Sequence, residues 1–138
     1  MNLKLRKPQR EDWDLILELR NEFFSQFYKQ TKPIEKTEHY KYLERQESNS
    51  KFHHWIIEYE NNRVGYVRVL DNDIGMIKKE FQNKGIASEA LRLAEKEAHQ
   101  LGITKLVALV KVGNESSKNI FTKNNYELKM YWYEKKIL

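Results

Sequence analysis

Hydrophobic positions change spacing several times along the chain, and each change marks an element. Leu3-Lys4-Leu5-Arg6 alternates, which predicts a short strand ending before Pro8. From about Glu11 to Phe24, Trp13, Ile16, Leu17, Leu19, Phe23 and Phe24 give a helix its apolar face. Segment 35–47 predicts a second helix, with Tyr40 and Leu43 three apart and Ser48-Asn49-Ser50 ending it. Phe52–Tyr59, Arg63–Leu70 and Asp73–Lys79 read as three strands in quick succession. Turns at Asn61-Asn62 and Asp71-Asn72 join them, so an antiparallel meander is the simplest arrangement.

Past Lys79 the period becomes helical. Ala87, Ala90, Leu91, Ala94, Ala98 and Leu101 form a stripe between Gly85 and Leu101, and Gly102 stands where a terminating glycine belongs. Thr104–Val112 is a near-continuous apolar run, the pattern of a strand buried on both faces. Asn114 caps a predicted helix through Lys123, and Tyr126–Trp132 and Tyr133–Leu138 read as closing strands. The strand–helix–strand unit from Asp73 to Val112 makes this a mixed α/β sheet.

The 138 residues predict one domain, 1–138, with no internal repeat or linker. A hydrophobic share of 40% excludes a disordered chain. With no cysteine there is no disulfide framework, thiolate zinc site or cysteine nucleophile, which suits a cytoplasmic setting. The N-terminus has no apolar leader, and no apolar run approaches the ~20 residues that cross a bilayer. No membrane partner is expected. The net charge of +5 is spread among 20 acidic residues, with no basic run longer than two. Nucleic acid binding needs basic residues gathered on one face, so a solvated surface that attracts a small anion is the better reading.

The junction between the strand ending near Lys79 and the helix opening at Gly85 carries the chemistry. A tight turn into a helix points several N–H groups at one spot, where the helix dipole adds positive potential. Gly85 lets the backbone approach a phosphate, Ala87 leaves the second turn unobstructed, and Ser88 adds a hydroxyl. Gln82, Asn83, Lys84 and Ile86 complete the turn. Neither a Walker P-loop nor a three-glycine dinucleotide fingerprint is present.

Gln82-x-x-Gly85-x-Ala87 resembles the pyrophosphate-binding segment of the GNAT superfamily of acyl-CoA-dependent N-acetyltransferases. About thirty residues on, Asn114–Tyr126 resembles the family's second helix motif, Asn-x-x-Ala/Ser followed by Tyr-x-Lys-x-Gly-Phe. The resemblance implies a mostly antiparallel central sheet with splayed central strands and about four flanking helices. It also implies acetyl-CoA as acyl donor, held at the pyrophosphate by Gln82 to Ser88. The strand around Ile77 and the amide of Asn114 would hold the pantetheine arm. A backbone N–H near Gly75 or Met76 would stabilise the oxyanion.

The chain departs from the family at Phe121, where a tyrosine often serves as general acid. Tyr126 is one helix end away, as a substitute or as a packed aromatic. Asn125 replaces a glycine, and asparagine also tolerates the left-handed conformation required there. Asp71 and Asp73 share a strand face with Gly75 and Ile77, and Asp73 is the candidate base, against a plain turn role. His53 and His54 face opposite ways, so one can reach the cleft, whereas His39 and His99 are expected on the surface. No histidine pair has metal-ligand spacing with a carboxylate, so no metal is expected. Arg20-Asn21 resembles a pair found in the amino-sugar and the ribosomal-protein N-terminal branches. That implies an amine or amino-sugar acceptor, with helix-end satisfaction as the plain alternative for Arg20. A non-catalytic acyl-CoA sensor is the rival from another class. Tyr131, Trp132 and Tyr133 leave monomer and homodimer both open.

Overall fold

The computed structural model describes residues 1–26, 30–69 and 75–138, and for Gly75 and Met76 the backbone alone. Its elements are β1 (Leu3–Arg6), α1 (Trp13–Glu22), α2 (Lys36–Gln46), β2 (His54–Tyr59), β3 (Asn62–Arg68), β4 (Gly75–Ile77), α3 (Ile86–Gln100) and α4 (Glu115–Lys123). Short 3-10 turns sit at Arg10–Asp12, Phe24–Gln26 and Lys79–Phe81. The four strands form one sheet in the order β1-β2-β3-β4, every pair antiparallel.

Alternation along the strands divides the core in two. Trp55, Ile57, Val67 and Ile77 face α3, where Ile86, Ala90, Leu91 and Ala94 close over them. Ile56 and Tyr66 face the other way, onto Trp13, Ile16, Leu19 and Phe23 of the α1 segment and Leu43 of α2. The small residues along α3 let that helix lie close to the sheet.

Several expectations are corrected. The β2–β3 turn is Glu60-Asn61, one residue early, with φ of 50° and 64°. Asn62 is drawn into the ladder opposite Tyr59, which leaves a two-residue turn of primed type. A bulge at Ile57/Glu58 absorbs the offset. His39 is fully buried, because it lies one helical turn from Leu43 on the inner face of α2. Its Nε2–H donates to the Trp13 carbonyl at 2.8 Å, and burial lowers its pKa, so the ring is neutral at pH 7. The turn at Asp71-Asn72 lies outside the described residues.

The largest correction concerns the C-terminal third. No strand is present among the described residues of 104–112 or 126–138, and Val107, Val112 and Tyr133 are exposed. An apolar run records β-propensity, whereas burial needs a partner strand on each side. The closing segment provides none. Helix α4 ends as expected, with Asn125 left-handed at φ 68°. Tyr126 and Asn125 donate their N–H groups back to Phe121 and Thr122, and the Tyr126 and Phe121 rings meet edge to face at 5.0 Å.

One ionic cluster, not anticipated, fastens β1 to the helical layer. Arg6 donates to both oxygens of Asp12, at 2.7 and 3.0 Å, and to Glu58 at 3.1 Å. Arg63 and the Gln9 N–H also donate to Asp12, which is fully buried. Burial opposes ionisation of Asp12, but those donors outweigh it and hold the carboxyl at about 2. The folded value lies below the unfolded 3.8, so the cluster's stabilisation is complete above about pH 4 and is lost as pH falls toward 2. Asp12→Asn should cost on the order of 2 kcal/mol at pH 7 in denaturant titrations, with the gap to the parent closing between pH 4 and 2. An equal gap at all pH values would contradict this account.

Candidate functional site

Among the described residues β4 pairs with β3 on one side only. Lys78 N–H donates to the Val64 carbonyl at 2.9 Å, continuing the register that sets Gly65 opposite Ile77 and Tyr66 opposite Met76. Antiparallel ladders alternate hydrogen-bonded and non-bonded pairs. Met76 therefore turns its N–H toward β3, and the N–H groups of Gly75 and Ile77 point away from it, off the sheet edge. Of the two candidate oxyanion donors, only Gly75 has its amide on the open side.

The segment after β4 is arranged around that edge. The Gln82 side-chain Nε2 donates to the Ile77 carbonyl at 3.0 Å, so Gln82 ties the turn to the strand instead of offering its amide outward. Asn83 and Gly85 are both left-handed, at φ 62° and 80°, and swing the chain into α3. No side chain caps α3. Its first turn-to-turn bond runs from Glu89 N–H to the Gly85 carbonyl, which leaves the N–H groups of Ile86, Ala87 and Ser88 without helical partners. A 15-residue helix aims its positive end at the same place.

A cleft of about 560 Å³ starts at this turn. Gln82, Asn83, Gly85, Ala87 and Ser88 line one end, and Ile57, Val67 and Ile77 form its apolar floor. Asn114, Ser117 and Phe121 of the α4 segment make a wall, and Phe23 and Gln26 close the far end. The Asn114 Oδ1 accepts the Ser117 N–H at 3.2 Å as the helix cap, which leaves its Nδ2 unbonded among the described residues. Asn124 Nδ2 donates to Ser88 Oγ at 3.0 Å and joins the two helices across the cleft. Such a site has anion donors at one end, an apolar channel and an amide donor midway.

Other candidates fall elsewhere. Lys84 and Ile86 flank the turn, and Ile86 is buried in the core. Asp71 and Asp73 lie outside the described residues. His54 packs on Phe52 and accepts the Tyr66 hydroxyl at Nδ1, 2.8 Å away, on the α1–α2 face and not among the residues lining the cleft. Burial and the nearby Arg68 charge depress His54 to about 4. Tyr126 also stands outside the lining. Its Oη is buried without a hydrogen bond among the described residues, and burial with the neighbouring Glu95 pushes its pKa up. Asn21 is occupied as a clamp: it accepts the Ile34 N–H at 2.8 Å and donates to the Ile34 carbonyl at 3.0 Å. Arg20 sits 5.6 Å above the Tyr42 ring. Lys111, missed in the sequence, donates to the Ser25 carbonyl at 2.9 Å and steadies the far end of the cleft. Among the described residues no group of three or more His, Asp or Glu side chains could hold a metal ion.

The acetyltransferase (GNAT) domain model matches residues 2–127. The chain belongs to this family. It is accordingly an acetyl-CoA-dependent N-acetyltransferase, and the unpartnered N–H groups at the start of α3 and the apolar floor beside β4 would suit a pyrophosphate and a pantetheine arm. Among solved structures, a domain from Methanocaldococcus jannaschii aligns with a TM-score of 0.81 at 22% identity, over 96% of this chain and 93% of that one. A spermidine N-acetyltransferase from Vibrio cholerae, solved with CoA and spermine, gives 0.74 at 20% identity, over 89% and 79%. The microcin C7 self-immunity acetyltransferase, solved with acetyl-CoA and AMP, gives 0.70 at 19% identity, over 89% and 77%. At these identities they establish the GNAT fold. No curated protein matches this sequence significantly.

Gly85 is the sharpest test of the GNAT turn. Its left-handed φ would strain any β-carbon, and such an atom would also touch the Met1 side chain at 3.7 Å. Gly85→Val should weaken acetyl-CoA binding at least about tenfold by calorimetry. Unchanged affinity would remove the turn from the site.

Proposed function

We propose that this enzyme acetylates a primary amine on a small acceptor that also carries an anionic group, with an amino-sugar nucleotide as the preferred case. The observation that carries this reading is the positive field on the α1–α2 face. Arg68 is 7% exposed there, and although burial raises the pKa of the Tyr66 hydroxyl, the charges of Arg68 and Arg20 beside it act the other way. Arg20 lies three residues before Phe23, which lines the cleft, and its guanidinium sits over the Tyr42 ring. A polyamine of the kind bound by the Vibrio enzyme would enter against these charges. The microcin enzyme, solved with AMP, offers a precedent for a nucleotide-bearing ligand on this fold.

The chemistry on this reading is direct. The neutral amine nitrogen attacks the thioester carbon, and the Gly75 N–H donates to the developing oxyanion, with Met76 holding the strand against β3. Asp73 takes the proton from the attacking nitrogen, through water. The tetrahedral species then expels CoA as thiolate. A thiol pKa of ~8.5 makes this a good leaving group, so Phe121 need not protonate it. Residues 1–138 act as one domain, and the lack of cysteine suits the reducing cytoplasm.

The decisive experiment measures CoA release with acetyl-CoA and three acceptors: a 4-amino nucleotide sugar, spermidine and a ribosomal N-terminal peptide. Turnover is expected with the nucleotide sugar, reduced on Arg20→Ala. Turnover with the peptide alone supports the ribosomal branch, and binding without turnover supports a sensor, the reading that Phe121 favours. With the active acceptor, Phe121→Tyr should change kcat by less than about threefold. A large gain would show that thiolate protonation limits the rate.

A further inference from the structure

Asn124 is not among the residues lining the cleft, yet it bonds to one that is. It closes α4, half-buried, with its backbone N–H given to the Ile120 carbonyl at 3.1 Å. Its Nδ2 lies 2.8 Å from that same carbonyl and 3.0 Å from Ser88 Oγ. A carbonyl oxygen only accepts, so the contact with Ile120 fixes the amide with its nitrogen on this side. The nitrogen carries two hydrogens, and each has one acceptor. Ser88 Oγ is therefore the acceptor in its bond to Asn124. The hydroxyl keeps one hydrogen of its own. A helical serine can spend that hydrogen on a carbonyl one turn back, but among the described residues Ser88 makes no such bond.

We propose that Asn124 is a positioning residue for the acyl donor: by filling an acceptor site on Ser88 Oγ, it leaves the hydroxyl hydrogen for a pyrophosphate oxygen at the start of α3. This deepens the acetyl-CoA reading of the cleft and rests on it. Ionised phosphoryl oxygens only accept. A hydroxyl with its hydrogen free therefore adds one donor to the N–H groups of Ile86, Ala87 and Ser88. A hydroxyl that had spent its hydrogen within the protein would turn a lone pair toward the anion instead. The same bond also ties α4 to α3. A purely structural role would act on the whole cleft, and so on every part of the donor. The positioning role acts on the pyrophosphate alone.

Calorimetry on the full chain with acetyl-CoA and with S-acetyl-pantetheine, which lacks the pyrophosphate, separates the two roles without any acceptor. Asn124→Leu keeps the side-chain volume and removes both donors. It should weaken acetyl-CoA binding about fivefold and S-acetyl-pantetheine binding by less than about twofold. Asn124→Ala, a smaller change at the helix end, should show the same split. Ser88→Ala should weaken acetyl-CoA at least as much as Asn124→Leu. The double variant should bind no worse than Ser88→Ala, because the amide acts only through the hydroxyl. Equal losses for both donors in the Asn124 variants would overturn the proposal, since the amide would then only hold the helices. So would unchanged acetyl-CoA affinity in those variants, or additive losses in the double variant. A parent chain that binds both donors equally would remove the pyrophosphate from α3 itself, a failure of the cleft reading visible before any substitution.

Discussion

The open edge of β4 is the constraint on which the site depends. A strand paired on one side leaves a row of backbone donors and acceptors that must find partners. β3 takes the Met76 side of that row, and the Gln82 side chain takes the Ile77 carbonyl. What remains on the edge is the N–H groups of Gly75 and Ile77 with the Gly75 carbonyl, a surface suited to the amides and thioester oxygen of an acyl-CoA. The same Gln82 contact sets the start of the turn that aims α3. Strand edge and helix end are thus one construction, held by one side chain.

The two faces of the sheet divide the labour. On the α3 face, small residues let the helix approach closely, and the cleft forms where α3 and α4 separate around Asn124 and Ser88. On the α1–α2 face, the buried His39, Tyr66 and Arg68 and the half-buried His54 lie within a core of mixed aliphatic and aromatic side chains. Such groups are costly to bury, and partners limit the cost: His39 uses the Trp13 carbonyl and His54 uses Tyr66. Burial lowers the pKa of both imidazoles, and Arg20 and Arg68 add positive charge beside them. The Asp12 cluster lies further along this face and fixes β1 relative to α1.

Periodicity exposed most of this fold because most elements are amphipathic. α3 reads from its alanine and leucine stripe, and the α4 termination reads from Asn125, whose side chain tolerates the required φ. The turn into α3 was legible because a left-handed position before a helix selects glycine at Gly85. Features set by distant partners were not legible. His39 is polar by sequence and buried only because α2 meets α1. The Asp12 cluster joins residues up to 52 apart in the chain. Thr104–Val112 shows the converse error, since its apolar run is real but it joins no strand among the described residues.

The choice between Gly75 and Met76 shows how structure decides what chemistry alone leaves open. Both residues have an amide in the right stretch of chain, and nothing in their side chains separates them. The Lys78–Val64 bond fixes the phase of the ladder, and the phase assigns each amide to one edge. A donor spent on β3 cannot also stabilise an oxyanion, so in the proposed mechanism that role goes to Gly75. The absence of an acid at Phe121 then follows without strain. Charge stabilised on the carbonyl oxygen lowers the barrier to attack, and the tetrahedral species can collapse to a thiolate that water tolerates. An enzyme whose leaving group needs little help can use the α4 wall for packing against the pantetheine arm, and a phenyl ring serves that purpose as well as a phenol.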